Sequence, residues 1–190
     1  MNIWRWDKKD PILKFPLKEM QSALRYSHNA ASLCIGGSKT GRLSLWEVPT
    51  GTLLGEIESA HYMELTDLDI AITNDMVITG GKDQKVKVWI IADLFFGGKQ
   101  QPFVEFSDHT AEVTQVCFSR SSVNRAFSCS VDKTFKVYDV PAGCTLKSIQ
   151  APSPINRLVI DAIESNVYLA CDNQNVYGFS LELTSGGNTT

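Results

Sequence analysis

No stretch of this 190-residue chain approaches the roughly 18 to 20 consecutive apolar residues that a membrane-crossing helix needs, and its start has no apolar secretory core. Sustained helical periodicity is missing as well, so the expected class is all-β. The five cysteines form no CxxC pair and no Cys/His spacing of a zinc site. Odd in number and set within apolar runs, they read as small buried hydrophobes in a reducing compartment. Three histidines, His28, His61 and His109, are too few and too scattered for a metal centre, and no cofactor is expected. A net charge of −3 with dispersed lysines lacks the basic footprint of a nucleic-acid binder. The balance points to protein partners.

What is present is a repeated run. Ile78-Thr79-Gly80-Gly81-Lys82-Asp83-Gln84-Lys85-Val86-Lys87-Val88-Trp89 reads as strand, tight turn, strand. Ser128-Cys129-Ser130-Val131-Asp132-Lys133-Thr134-Phe135-Lys136-Val137-Tyr138 has the same form. In each copy an Asp (Asp83, Asp132) stands six residues before a closing aromatic (Trp89, Tyr138). A hydroxyl residue (Thr79, Ser128) stands four before that Asp, and a His (His61, His109) opens the unit upstream. Closing aromatics Trp6, Trp46, Trp89, Tyr138 and Phe179 follow one another at 40, 43, 49 and 41 residues, which is the period of a four-strand repeat.

The units run at about 1–18, 22–58, 61–108, 109–151 and 154–183, and 184–190 is a polar Gly/Ser/Thr tail or linker. The first holds only the back half of a unit. The second has lost its opening His and has Thr40 where the others have Asp. The third carries an insertion, residues 90–101, with Phe95 and Phe96 in it; Val88 to Phe96 reads as a buried strand running into a loop. Those two rings either pack the insertion onto its own unit or anchor a protein partner. The last unit has Pro152 in the place of the His and no fourth strand.

Acid, His and hydroxyl together also suggest a hydrolase triad at Ser128, His109 and Asp132. The identical spacing at Thr79, His61 and Asp83 argues against it, since two catalytic centres in adjacent repeats are far rarer than two copies of a fold motif. No nucleophile elbow and no phosphate-cradling glycine loop is present. No enzymatic activity is expected.

Units of four short strands closing in Trp-Asp or a relative resemble WD-repeat β-propeller blades, over nearly the whole chain. The resemblance implies that the Asp pairs with the His, the His with the hydroxyl, and the hydroxyl with the aromatic, as a structural blade network of His61, Thr79, Asp83, Trp89 and His109, Ser128, Asp132, Tyr138. With a phenol in place of an indole, the second network is expected to be altered and weaker. Taken in order, the insertion after Val88-Trp89, the Ser130-to-Tyr138 run, the His-less Pro154-Ile155-Asn156-Arg157-Leu158 unit and Leu45-Trp46-Glu47-Val48-Pro49-Thr50-Gly51 resemble the WD-repeat subunit of the rixosome. That resemblance implies a nuclear scaffold, nucleolar or nucleoplasmic with the cytoplasm as a second compartment. Its partners would be a helical-repeat scaffold, other rixosome subunits and the pre-ribosomal particle. Its work would be large-subunit biogenesis and processing of the internal transcribed spacer. A WD adaptor of a ubiquitin ligase or chromatin complex is the alternative. The family has about seven blades and this chain about four. An open arc would expose strand edges and favour self-association.

Overall fold

The computed structural model describes residues 2–3, 7, 9–10, 13–15, 17–28, 33–95 and 100–181. Strands β1 (Asn2–Ile3) and β2 (Leu13–Lys14) form a two-stranded antiparallel pair. Next come β3 (Gln21–Tyr26), β4 (Leu33–Ser38), β5 (Leu43–Glu47) and β6 (Thr52–Ile57) in one four-stranded sheet. The third sheet holds β7 (Leu65–Ile70), β8 (Met76–Gly81), β9 (Val86–Ile90) and β10 (Val104–Phe106). The fourth holds β11 (Val113–Phe118), β12 (Arg125–Ser130), β13 (Thr134–Asp139) and β14 (Cys144–Gln150). The last has three strands, β15 (Ile155–Ile160), β16 (Asn166–Cys171) and β17 (Val176–Ser180). Every sheet is a meander, with chain neighbours paired antiparallel.

The protein is therefore all-β, in the form of a partial propeller. First strands stand side by side: β3 by β7, β7 by β11, β11 by β15. A strand so placed is covered on both faces, which is why β7, Leu-Thr-Asp-Leu-Asp-Ile, is almost wholly buried despite two carboxylates. Three apolar layers fill the spaces between successive sheets. Ile35, Leu43 and Leu45 meet Leu65, Leu68, Ile70 and Trp89 in the first. In the second, Ile78, Val86, Val88 and Phe106 meet Val113, Val116, Phe118 and Tyr138. The third joins Phe127, Phe135 and Val137 to Ile155, Leu158, Val167 and Leu169. Each such side chain, fully withdrawn from water, contributes on the order of 1.5–3 kcal/mol before the entropy of ordering it.

A register shift recurs at one place in all four first strands. The pairings skip Ser22 in β3, Thr66 in β7, Thr114 in β11 and Asn156 in β15. An extra residue of this kind bends the strand and re-aims its side chain out of the ladder. Thr66 Oγ1 donates across the gap to the Val113 carbonyl at 2.5 Å, Thr114 Oγ1 to the Ile155 carbonyl at 2.7 Å, and Ser22 Oγ to the Leu65 carbonyl. The next residue adds a second link. Asp67 Oδ2 accepts from the Val116 N–H, and Gln115 Oε1 from the Leu158 N–H.

The insertion differs from expectation. Val88 to Phe96 is not strand running into loop; after β9 it turns into a short helix, α1 (Ile91–Phe95). The Ile91 N–H still bonds the Asp75 carbonyl, one position beyond the Met76–Ile90 pairing, and Leu94 is buried against the preceding sheet. Gly55 in β6 makes room for it: a Cβ there would lie 1.9 Å from the Leu94 carbonyl oxygen. An apolar run without period-two alternation looks alike as strand or buried helix, and the contact with Gly55 decides between them.

Candidate functional site

In the third sheet the four repeated residues form one hydrogen-bonded chain. The Trp89 indole N–H donates to Thr79 Oγ1 at 2.9 Å, and Thr79 Oγ1 lies 2.8 Å from His61 Nε2. His61 Nδ1 lies 2.8 Å from Asp83 Oδ1. An indole can only donate, so the hydroxyl proton is free to point at Nε2, which leaves the ring proton on Nδ1, facing the carboxylate. Asp83 also accepts the N–H groups of Tyr62 and Lys85. Burial works against its charge, but the His61 bond and those two amides hold the carboxyl below its ordinary value.

The fourth sheet repeats the arrangement. His109 Nδ1 lies 2.8 Å from Asp132 Oδ2, and Nε2 lies 2.6 Å from Ser128 Oγ. The phenol of Tyr138 reaches Ser128 Oγ at 2.9 Å, the same span that the indole covers one sheet earlier. The Tyr138 ring also stacks on Phe106, with centroids 4.2 Å apart. Burial pushes the Tyr138 hydroxyl well above its ordinary pKa, so the phenol stays protonated and able to donate. Burial likewise lowers the His109 pKa, against the opposing pull of Asp132, which favours a neutral ring near pH 7. Asp132 itself is held low, burial being outweighed by the Thr134 hydroxyl, His109 and the Thr110 N–H.

These groups are sealed. Thr79 and Ser128 are 0% exposed, His61 1% and His109 4%. No hydroxyl oxygen here can meet a substrate carbonyl, whatever its resemblance to an activated nucleophile. Buried thiols are equally inert: desolvation raises Cys34 to about 11 and Cys129 to about 12.

The second sheet has a different arrangement. Gly36 holds the place of Thr79 and Ser128, and the Trp46 ring lies over it; a Cβ there would sit 2.8 Å from the ring. Thr40, in the Asp position, bonds Ser38 and Glu19. Arg42 pairs with Glu19 at 2.6 Å and with Glu56 at 3.0 Å. These charges and Trp46, Leu17 and Leu53 line a cavity of about 260 Å³. In the last sheet Leu169 and Phe179 take the hydroxyl and aromatic places. There the backbone bond from Ala151 to Lys133 matches the one from His61 to Gly41, so Ala151 holds the His place and not Pro152.

Phe95 ends α1, and Phe96 lies outside the described residues, as do Trp6 and the tail 184–190. What the repeat reading missed is the set of links between sheets, including Asp69, which accepts from the Phe118 N–H and pairs with Arg120 at 3.1 Å. Ser22, Thr66 and Thr114 were visible in the sequence as small hydroxyl residues at spacings of 44 and 48.

The model of the WD domain, G-beta repeat, matches residues 51–89 and 100–139. Among curated relatives, Protein ROOT INITIATION DEFECTIVE 3 of Arabidopsis thaliana is 29% identical over 96% of this chain and 42% of its own length. Pre-rRNA-processing protein IPI3 of Yarrowia lipolytica is 28% identical over 95% of this chain and 43% of its own, and that of Candida albicans 28% over 91% and 40%. The chain thus spans about four tenths of these relatives. Of solved structures, the computationally designed Ika8 protein superposes with a TM-score of 0.78 at 24% identity, over 95% of this chain and 52% of that one. The designed Ika4 protein gives 0.72 at 26%, over 87% and 93%. Read with the repeated network and the stack of meanders, these likenesses show that the chain carries WD repeats at residues 51–89 and 100–139 and resembles the WD-repeat subunit of the rixosome.

Proposed function

We propose that the chain is a non-enzymatic scaffold in a nuclear protein complex that acts in large-subunit ribosome biogenesis and pre-rRNA processing. The observation that carries this is similarity along nine tenths or more of the chain to proteins whose names state pre-rRNA processing. The buried networks support the non-enzymatic part, because both acid–His–hydroxyl sets face inward and serve as blade fasteners. The partners are protein subunits, a helical-repeat scaffold among them, and the pre-ribosomal particle. No helix among the described residues is long and apolar enough to cross a membrane.

Affinity capture of the tagged chain from its own cells tests the reading. Recovery of pre-ribosomal factors, together with accumulation of spacer-containing pre-rRNA on depletion, is the expected result. Recovery of cullin or histone machinery in their place would overturn it in favour of another WD adaptor. An activity lost in Ser128→Ala with folding intact would overturn the non-enzymatic part.

A further inference from the structure

Lys136 in β13 is only 9% exposed, yet it makes no ion pair among the described residues. Its ammonium donates to Ser148 Oγ at a long 3.4 Å. A neutral hydroxyl offsets little of what it costs to withdraw an ammonium from water. The other four-stranded sheets show what stands in the place of that serine. Register sets Ser148 of β14 opposite Lys136, Glu105 of β10 opposite Lys87, and Glu56 of β6 opposite Ser44. Lys87, 6% exposed, is the counterpart of Lys136, since each stands opposite the fastener hydroxyl of its sheet, Thr79 or Ser128. Glu105 takes both Lys87 at 3.4 Å and Lys85 at 3.0 Å. Glu56 takes Arg42 at 3.0 Å and Lys18 at 3.1 Å. Two of the three fourth strands thus answer the cations of their sheet with a carboxylate, and the third answers with a serine.

We propose that Ser148 is a phosphorylation site and that its phosphate supplies the anion Lys136 lacks. The phosphoryl donor is a nucleoside triphosphate held by a protein kinase. The bond from Ser148 Oγ to the γ-phosphorus forms and the bond from that phosphorus to the bridging oxygen breaks. Nucleoside diphosphate leaves, and the hydroxyl proton passes to the base of the kinase. Ser148 is exposed, and β14 is the outermost strand of its sheet, extended and unpaired along one edge among the described residues, so the hydroxyl is within reach. Ser128 and Ser130 in the same sheet are 0% exposed and have no such access. A phosphoserine carries about −1.5 to −2 charges near pH 7 and three strong acceptor oxygens. Its ester oxygen already stands beside Lys136, so the new oxygens reach the ammonium without movement of either strand. The modification fastens the outer strand of the fourth sheet as Glu105 fastens that of the third.

Two measurements test this. Peptide mass spectrometry of the chain isolated from its own cells should find phosphate on Ser148, distinguished from Ser153 by fragmentation and removed by phosphatase. Denaturant unfolding then tests Lys136 as the partner. Ser148→Glu, which copies Glu105, should lower the unfolding equilibrium constant by about three- to tenfold. That gain should vanish in Lys136→Met and persist in Lys136→Arg, the single and double variants together isolating the pair. Lys136→Gln serves where Lys136→Met disturbs folding, which circular dichroism reports. Recovery of the Ser148 peptide without phosphate, or with phosphate on Ser153 alone, would overturn the proposal. So would Ser148→Glu giving no gain, or an equal gain with and without the lysine.

Discussion

Thr79 is the residue on which the third sheet's network turns, because its single hydroxyl serves both Trp89 and His61. Thr79→Val keeps the shape and removes the oxygen, stranding an indole N–H and an imidazole nitrogen in a site with no water access. A stranded buried group costs about 1–3 kcal/mol. Denaturant unfolding should show a loss of that size, whereas exposed Thr40→Val should change stability by no more than about 0.5 kcal/mol. Equal losses at the two positions would contradict the account. The fourth sheet carries a pH signature. Its folded-state His109 is depressed below the ordinary 6.5, so between those two values the unfolded chain binds a proton that the folded one refuses. Stability should therefore fall as pH drops from 7 through this window. A second loss belongs below the ordinary carboxylate value of 3.8, where Asp83 and Asp132, both depressed in the fold, take up protons. The unfolding midpoint should drop between pH 7 and pH 5, and less so in His109→Gln; an unchanged slope in the variant would assign the effect elsewhere.

At the scale of the element, a bulge gives each first strand its function. Without the extra residue, the side chains of Ser22, Thr66 and Thr114 would follow the ordinary alternation of the strand. With it, they cross to the neighbouring sheet and answer a carbonyl there. Thr66→Val should cost about 1 kcal/mol in denaturant unfolding, and native-state hydrogen exchange should place the weakening at the junction of the second pair of four-stranded sheets. Protection lost evenly over the chain would count against a local link. The turns after β4, β8, β12 and β16 share another feature. Gly41, Gln84, Lys133 and Gln174 all adopt left-handed backbone, with φ of 84°, 69°, 70° and 64°. Only the first is glycine, and its reason is contact: a Cβ there would lie 2.1 Å from the His61 carbonyl oxygen. The other three accept the conformational cost in exchange for the tight return after the Asp or Asn.

For the whole molecule, charge decides what kind of partner fits. A net charge of −3, with basic side chains such as Lys82, Lys85 and Arg42 paired to Glu64, Glu105 and Glu56, works against a broad positive field. Under the proposed function, such a surface would reach RNA through other proteins. Filter binding of the isolated chain to a spacer-containing pre-rRNA fragment should show no affinity beyond the non-specific range of about 10⁻⁴–10⁻⁶ M. Submicromolar, salt-sensitive binding would contradict that.

The repeat itself was legible in the linear chain. Asp six residues before an aromatic, with a hydroxyl four before the Asp, is a local pattern, and Thr79-to-Trp89 and Ser128-to-Tyr138 display it within a dozen residues. Strand alternation and turn chemistry act over the same short range, so the all-β class and the meanders followed. The partners that make sense of His61 and His109 lie 18 to 23 residues away, and their burial came only with the fold. Tyr138 shows the limit of local reading: that its phenol reaches Ser128 at 2.9 Å and its ring stacks on Phe106 came only with the fold. The insertion after Trp89 became a helix because Gly55, on another sheet, leaves space for it. Local sequence determined which repeats this protein has. The tertiary structure decided which side chains are fasteners, through partners about 20 positions away, and which are links between sheets, through partners 40 or more positions away.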